Sequence, residues 1–318
     1  MGAGKKKKTA RKKQSHPFIE ILAIFIITSG TAFGVGVGIY RLRQPKVVED
    51  PVFVAYDDGE PEEDEDEEED EEELPKEIDF QPVVDKWAAS VKGNRSVLIY
   101  DLDLDKTVAE YNIKEPYNTA SLYKLFVVYE GYKRVQNGTW DGKAKAGSTG
   151  YTISKCLDLA IRESHSPCAE TLWGMIGRDN LDVIIEKEWG IVDSKISRLR
   201  SVSTDIMKIM KKFYMHDDIT DKALLTQMWD SFLNQPKTTY NWRQGLPSGF
   251  KKAEVYNKVG WEYNADKKYW NIYHDTAIVK FPTEDKKTRN FIVVAMTNRV
   301  DFSNIKKLGT MLEEKFYE

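Results

Sequence analysis

The sequence predicts an α+β domain in which one antiparallel sheet of about five strands is formed from both ends of the domain. A lobe of helices is inserted between those ends. Two alternating segments begin the domain, a long run of helical patterns follows, and three further strand patterns come after it. Helices that are grouped apart from the strands are typical of α+β folds. One transmembrane helix is expected before the domain.

The chain begins with a basic tail, residues 1–20, and an apolar segment, residues 21–40. The segment has no charged residue, and as a helix it covers about 30 Å, the thickness of a bilayer core. Seven lysines and arginines precede it and three follow closely, which places the tail in the cytoplasm and the rest outside. The alternative is a cleaved signal peptide, but the segment is long for one and no A-x-A-like site follows. We therefore expect a single-pass plasma-membrane anchor, with membrane lipid as its partner and the domain extracytoplasmic.

An acidic, disordered linker is predicted for residues 41–79. Fifteen of the seventeen positions from Asp57 to Glu73 are Asp or Glu. Such a segment cannot form an apolar core, and its like charges repel, so it should be extended. It could hold the domain away from the membrane or bind divalent cations, but a plain solvated tether is the simplest interpretation.

Residues 80–318 form the predicted folded domain, and they carry a net charge of about +5 although the whole chain carries −4. A basic domain can attract an anionic polymer such as the cell wall, and no pattern indicates nucleic-acid binding. The four histidines lie in no HExxH pattern and there is no CxxC, so neither a catalytic metal nor a cofactor is expected.

The two cysteines are predicted to be free thiols. Cys156 lies near the start of one predicted helix and Cys168 lies at the start of the next. A helix from Cys156 to Glu163 is already about 10 Å long, whereas a disulfide needs Cα atoms within about 7 Å.

The order of elements follows from hydrophobic periodicity. A helix over residues 81–91 precedes a hairpin over 95–102 and 107–111. Helical patterns then cover residues 121–135, 152–163, 168–177, 179–188, 203–215 and 220–234. Strand patterns cover residues 254–259, 270–281 and 291–298, and a last amphipathic helix covers residues 303–317.

Ser121 and Lys124 form a Ser-x-x-K motif at the start of a strongly apolar helix. Three residues apart in the first helical turn, they share a face, and the hydroxyl lies near unpaired backbone N–H groups. A neutral lysine beside a serine can take its proton and activate it as a nucleophile. The simpler interpretation is that Ser121 only caps the helix. Ser248 and Ser303 also begin Ser-x-x-K motifs, without that context.

Two further motifs follow in the chain. Ser164-His165-Ser166 lies between two helical patterns, so its side chains can project into a cleft. Lys258-Val259-Gly260-Trp261 ends a strand pattern. There a lysine can bind a carboxylate, and the glycine lets a substrate's backbone lie along the strand edge. His274 and Asp275 are adjacent on a strand, so they face opposite sides and do not form a catalytic pair.

These three motifs, in this order, resemble those of class A β-lactamases and penicillin-binding proteins: Ser-x-x-Lys, then Ser-x-Asn or Ser-x-Ser, then Lys-Thr-Gly on a strand. The resemblance implies that Ser121 is the acylated nucleophile, that Lys124 is its base, and that Ser164 passes the proton to the leaving nitrogen.

The resemblance also implies how the substrate is held. Ser166 would contact the substrate amide, and Lys258 would help to hold its carboxylate and tune Ser164. The backbone N–H groups of Ser121 and Trp261 would form the oxyanion hole.

The sequence departs from the family at three places. His165 replaces the usual Asp of the second motif, and Val259 replaces the hydroxyl residue of the third. The segment from Trp189 to Thr204 has no room for the long loop whose glutamate activates the deacylating water in class A enzymes.

We therefore expect a membrane-anchored serine hydrolase that acts through an acyl-serine intermediate on β-lactams or D-Ala-D-Ala-type wall peptides, with slow deacylation. The alternative is a catalytically impaired pseudoenzyme that serves as a tethered wall-binding module.

Overall fold

The computed structural model describes residues 74–236, 241–263 and 271–318. The predicted transmembrane segment and the acidic stretch that ends at Glu73 lie outside these residues. Residues 74–79 are described without helix or strand. Among the described residues, none of the helices combines the length and apolarity that a membrane span requires.

The described residues contain two sheets. In chain order their strands are β1 Asn94–Asp101, β2 Lys106–Tyr111, β3 Tyr117–Asn118, β4 Arg200–Ser201, β5 Glu254–Glu262, β6 Ile272–Pro282 and β7 Thr288–Asn298. Five of them form an antiparallel sheet in the order β2-β1-β7-β6-β5. The hairpin from the start of the domain therefore pairs with strands from its end, through β1 and β7. The predicted five-stranded α+β architecture is confirmed.

The described α-helices lie close to the predicted patterns, except α8, which was not predicted. They are α1 Gln81–Ser90, α2 Tyr123–Gln136, α3 Ile153–Arg162, α4 Ser166–Ile176, α5 Arg178–Lys187, α6 Ser203–Met215, α7 Lys222–Leu233, α8 Leu246–Gly249 and α9 Phe302–Phe316. A short 3-10 helix, Ala120–Leu122, leads into α2. The residues Tyr123 to Tyr132 of α2 are all buried, as expected for a helix at the centre of a lobe.

The sheet separates two apolar cores, because alternate side chains of a strand face opposite sides. Leu98 and Val294 face the core that contains the helical lobe around α2. Val97 and Val293 face the core that contains α1, α8 and α9. Side chains on the lobe side of β5 and β6 can therefore reach the start of α2, and the next residues along those strands cannot.

Both ends of the described domain meet at the turn between β6 and β7. Arg289 at the start of β7 donates a hydrogen bond to the carbonyl of Lys76 over 2.9 Å. The hydroxyl of Tyr317 donates to the carbonyl of Pro282 over 3.2 Å. The first and last described residues thus lie at one end of the sheet.

The prediction of free thiols is wrong, because Cys156 and Cys168 form a disulfide with their Cα atoms 4.9 Å apart. The N–H groups of Glu163 and His165 both donate to the carbonyl of Leu159, so the chain reverses directly after α3. The start of α4 then runs back along α3. The axial length of α3 is therefore not the separation of the two cysteines.

Replacing both cysteines by alanine is expected to lower the free energy of unfolding by about 2–4 kcal/mol, because the bond closes a short loop in the unfolded chain. Urea unfolding of the described domain measures the change. The intact mass under non-reducing conditions should also be lower than the dithiol mass by two hydrogen atoms. A dithiol mass, or an unchanged unfolding midpoint, would contradict the assignment.

Candidate active site

Ser121 lies in the 3-10 helix that leads into α2, and its side chain is half-buried. The residue before it, Ala120, has a φ of +41°, a left-handed conformation that non-glycine residues adopt mainly where the surroundings hold them. The strand pair β3–β4 and the bond from Thr119 N–H to Leu199 O, 2.8 Å, hold this segment. The backbone is therefore fixed directly before the predicted nucleophile.

His274 also holds this segment, a role that the sequence analysis did not predict. Its Nδ1 accepts from the N–H of Thr297 over 2.9 Å, so the ring hydrogen lies on Nε2, which donates to Asn118 O over 2.7 Å. Asn118 Oδ1 in turn accepts from the N–H of Ala120. Burial lowers the pKa of His274 to about 4, which keeps this tautomer neutral. A histidine within a strand carries no pattern that would have revealed this role.

Asp275 points away from His274, as the alternation of the strand predicts. Its carboxylate accepts from the side chain of Asn257 over 2.9 Å and from the N–H of Leu246 over 2.8 Å. These partners lie toward α8, on the far side of the sheet. His274 and Asp275 therefore form no catalytic pair.

Lys124, Ser164, Ser166 and Lys258 form one hydrogen-bonded group, which we call the lysine–serine cluster. Lys124 Nζ lies 3.2 Å from Ser164 Oγ and 3.0 Å from Ser166 Oγ, and it donates to the carbonyl of Ser164 over 2.5 Å. Lys258 Nζ donates to Ser164 Oγ over 3.0 Å. The structure thus brings residues of all three sequence motifs together around one serine hydroxyl.

Ser121 lies beside this cluster, since Lys124 is one helical turn further along. Among the described residues, no hydrogen bond joins Lys124 Nζ to the Oγ of Ser121. Catalytic hydrogen bonds are commonly long in sites without substrate and tighten when it binds. Ser164 has a φ of +55°, so the backbone is left-handed at this motif also.

Gly260 lets β5 approach the segment that carries Ser121. A Cβ atom at this position would lie 2.7 Å from the carbonyl oxygen of Thr119 and 2.9 Å from a side-chain carbon of Leu122. Any larger residue would push β5 away from the 3-10 helix. The glycine is therefore required for the contact between the first and third motifs.

Trp261 follows Gly260 and is half-buried at the end of β5, opposite Tyr273. Val259 is only 1% exposed and belongs to the core behind the sheet. Its side chain therefore faces away from the cluster and packs in that core, in place of the hydroxyl that the third motif usually has.

Both lysines of the cluster are buried, with Lys124 at 0% and Lys258 at 1% exposure. Burial lowers the pKa of Lys124 to about 7, against a smaller opposing effect of the Glu170 carboxylate. Burial and the neighbouring Lys124 lower the pKa of Lys258 well below its ordinary value. A neutral Lys124 has two N–H donors and one lone pair, so one neighbouring serine hydroxyl donates to it. Such an amine can accept the proton of a serine nucleophile.

Acylation is expected to fall about tenfold for each pH unit below about 7, because protonated Lys124 cannot accept the Ser121 proton. Above that pH the lysine is neutral and the rate should level off. The second-order rate constant for a fluorescent penicillin, measured from pH 5 to 9, tests this. A rate that does not change between pH 5 and 8 would mean that another group is the base.

The segment between α5 and α6 is short, as expected, and it contains two acids. Glu188 pairs with Lys133 over 2.5 Å, and Asp193 pairs with Lys114 over 2.8 Å. Among the described residues, neither carboxylate contacts the lysine–serine cluster. The segment therefore supplies no base near Ser121.

His165 caps α4 instead of contacting the cluster. Its Nδ1 accepts from the N–H of Cys168 over 3.3 Å, and its ring packs edge-on against Tyr151. The residue that replaces the usual Asp of the second motif thus has a structural role at the start of α4.

Comparison with solved structures shows the same fold. The ancestral (GNCA) class A β-lactamase is 14% identical, with a TM-score of 0.62, and the match covers 74% of this chain and 99% of that one. A β-lactamase from Xanthomonas campestris pv. campestris is 13% identical with a TM-score of 0.60, covering 74% and 97%. A class A representative from Bacteroides cellulosilyticus is 12% identical with a TM-score of 0.61, covering 76% and 99%.

No curated protein sequence matches the chain. Residues 79–314, however, match the family model Beta-lactamase2, described as the beta-lactamase enzyme family. This match spans about three quarters of the chain and nearly all of the domain predicted from residue 80 onward, and it confirms the resemblance that the three motifs indicated. The chain therefore belongs to the beta-lactamase enzyme family of serine hydrolases.

Proposed function

We propose that the protein forms an acyl-serine intermediate on β-lactams or D-Ala-D-Ala-type wall peptides and releases the acyl group slowly. The observation that carries the proposal is the lysine–serine cluster, in which two buried lysines contact Ser164 beside Ser121. If Ser121 only capped the start of the helix, two buried lysines would not be needed at this place, since burying an amine is costly.

In the proposed acylation, Ser121 Oγ attacks the substrate carbonyl and its proton passes to Lys124. Ser164 then gives a proton to the leaving nitrogen and is reprotonated from Lys124, with which it shares a contact. Lys258 fixes the Ser164 hydroxyl. The N–H groups of Ser121 and Trp261 would stabilise the oxyanion.

Slow release follows from the departures from the family pattern. The segment between α5 and α6 supplies no carboxylate beside Ser121, and His165 Nδ1 is used in a helix cap. Water would therefore attack the ester with less help than in a class A enzyme. A long-lived acyl-enzyme is typical of penicillin-binding proteins.

We further propose that residues 21–40 anchor the domain to the outer face of the plasma membrane, with the acidic linker as a spacer. The apolar length and the basic flank support this proposal. Fractionation of the full chain, with protease access to the domain in intact cells, tests it. Release of the full-length domain in soluble form would favour the cleaved signal peptide.

The second candidate is a pseudoenzyme that binds the wall without reacting. Val259, which is buried behind the sheet, and Ser166, which replaces the usual amide, favour it. Intact mass spectrometry after incubation with a panel of β-lactams separates the two functions. A covalent adduct of one molecule is expected, whereas unmodified protein across the panel would support the pseudoenzyme.

A further inference from the structure

We propose that Glu170, on α4, is the general base that activates water for release of the acyl group. The inference rests on the proposed acyl-serine function and assigns a catalytic role that none of the three sequence motifs contains. It explains how an enzyme without the usual loop glutamate would complete its cycle.

The position of Glu170 follows from the helix that carries it. Glu170 lies four residues after Ser166, so the two share one face of α4. Ser166 Oγ contacts Lys124 Nζ over 3.0 Å, which turns this face toward the cluster. The side chain of Glu170 also bonds to Tyr123, the residue directly before Lys124.

The charge of Glu170 acts on the cluster. Among the described acids, its carboxylate is the one that raises the pKa of Lys124, against the larger lowering by burial. Coulomb interactions weaken with distance, so this effect agrees with the position derived from the helix. The carboxylate thus lies near enough to Lys124 to influence its charge.

The carboxylate is held in a closed ring of contacts. The hydroxyl of Tyr123 donates to one oxygen of Glu170 over 2.5 Å, and Arg178 pairs with the other. The guanidinium of Arg178 lies 4.3 Å from the ring centre of Trp173, and that ring stacks on Tyr123 at 4.9 Å. A base that is oriented from both sides loses little entropy in the reaction.

Glu170 also keeps the capacity to bind water. Its side chain is 41% exposed. Each carboxylate oxygen has two lone pairs, and the two donors occupy one on each oxygen. The remaining lone pairs can therefore accept a hydrogen bond from water.

The proposed step is a hydrolysis in which atoms and electrons balance. Glu170 takes a proton from water while the water oxygen forms a bond to the acyl carbon. The bond between that carbon and Ser121 Oγ then breaks, and its electron pair stays on Oγ. Oγ regains a proton through Lys124, to which Glu170 returns the one it took. The products are a carboxylic acid and the free serine.

The test is the lifetime of the acyl-enzyme in Glu170→Gln, measured by intact mass spectrometry after a pulse of penicillin. Above about pH 8, where Lys124 is neutral with or without the Glu170 carboxylate, we expect acylation at the unaltered rate and a lifetime about 10²-fold longer, within the usual size of general-base help. Glu186→Gln is the matched control, because Glu186, on α5, pairs with Lys195. It should release the acyl group as the unaltered protein does.

Hydroxylamine separates a catalytic from a structural role. As a strong nucleophile that needs no base, it should release the acyl group from Glu170→Gln and from the unaltered protein at equal rates. If Glu170→Gln does not fold, Tyr123→Phe removes one of the two donors and should also lengthen the lifetime. If the acyl-enzymes of Glu170→Gln and the unaltered protein have equal lifetimes in water, the assignment of Glu170 is overturned. It is also overturned if hydroxylamine releases the acyl group from Glu170→Gln more slowly by the same factor as water does. Absence of any adduct on the unaltered protein would instead overturn the proposed function.

Discussion

Ser121→Ala is expected to abolish covalent labelling by β-lactams. The variant keeps the lysine–serine cluster, because no hydrogen bond joins the Ser121 side chain to a described residue. It should therefore fold normally and bind substrate but lack the oxygen that forms the ester. Removal of a serine nucleophile typically lowers the rate on the order of 10⁶-fold, so labelling by a fluorescent penicillin should be undetectable in a gel.

Two other Ser-x-x-K serines provide controls. Ser248 Oγ donates to the carbonyl of Arg243 over 2.7 Å, and Ser303 Oγ donates to Asp301 over 2.7 Å at the start of α9. Both hydroxyls bond to residues of their own local segment, so Ser248→Ala and Ser303→Ala should be labelled as the unaltered protein is. Equal labelling of Ser121→Ala and the unaltered protein would disprove the assignment of the nucleophile.

The second large effect concerns turnover. Stopped-flow measurement with a chromogenic β-lactam should show a burst of one equivalent per enzyme, followed by very slow release. Acylation needs Ser121 and, beside it, Lys124 and Ser164 of the lysine–serine cluster. Deacylation lacks the usual loop glutamate, and Glu170, which is tied to Tyr123 and Arg178, is expected to replace only part of a general-base contribution that is typically about 10²–10⁴-fold.

Steady hydrolysis at about 10 per second, a median rate for enzymes, with no burst would contradict slow deacylation. In that case Glu170→Gln should convert the kinetics to the burst type. A burst that is smaller than one equivalent would instead indicate a partly active preparation. Titration with a tight covalent inhibitor provides the count of active sites that this measurement needs.

The elements of the domain were predictable because most have strong periodicity. The apolar run of β1 and the buried run of α2 are each produced by local sequence, and the predicted bounds lie within a few residues. Strands β3 and β4 were not predictable, because two residues carry no pattern. Their pairing depends on the tertiary position of the segment before Ser121.

The site was predictable where chemistry imposes a residue type at a fixed spacing. The Ser121–Lys124 spacing follows from one helical turn. Contacts between distant segments were not predictable, as Tyr123 with Glu170 and His274 with Asn118 show. The disulfide was also not predictable from the sequence, because the reversal of the chain after α3 is set by three-dimensional packing.

The meeting of both ends of the domain at the β6–β7 turn has a mechanical consequence. Pro282 ends β6, and His274, which holds the segment before Ser121, lies eight residues before it. At about 3.4 Å per residue, roughly 27 Å of strand separates the two places. A force applied through the chain before Lys76 is thus borne by Arg289 and the turn beside it, at the pole opposite Ser121. The domain can be pulled, fused to a carrier or immobilised at this pole without a contact at the lysine–serine cluster.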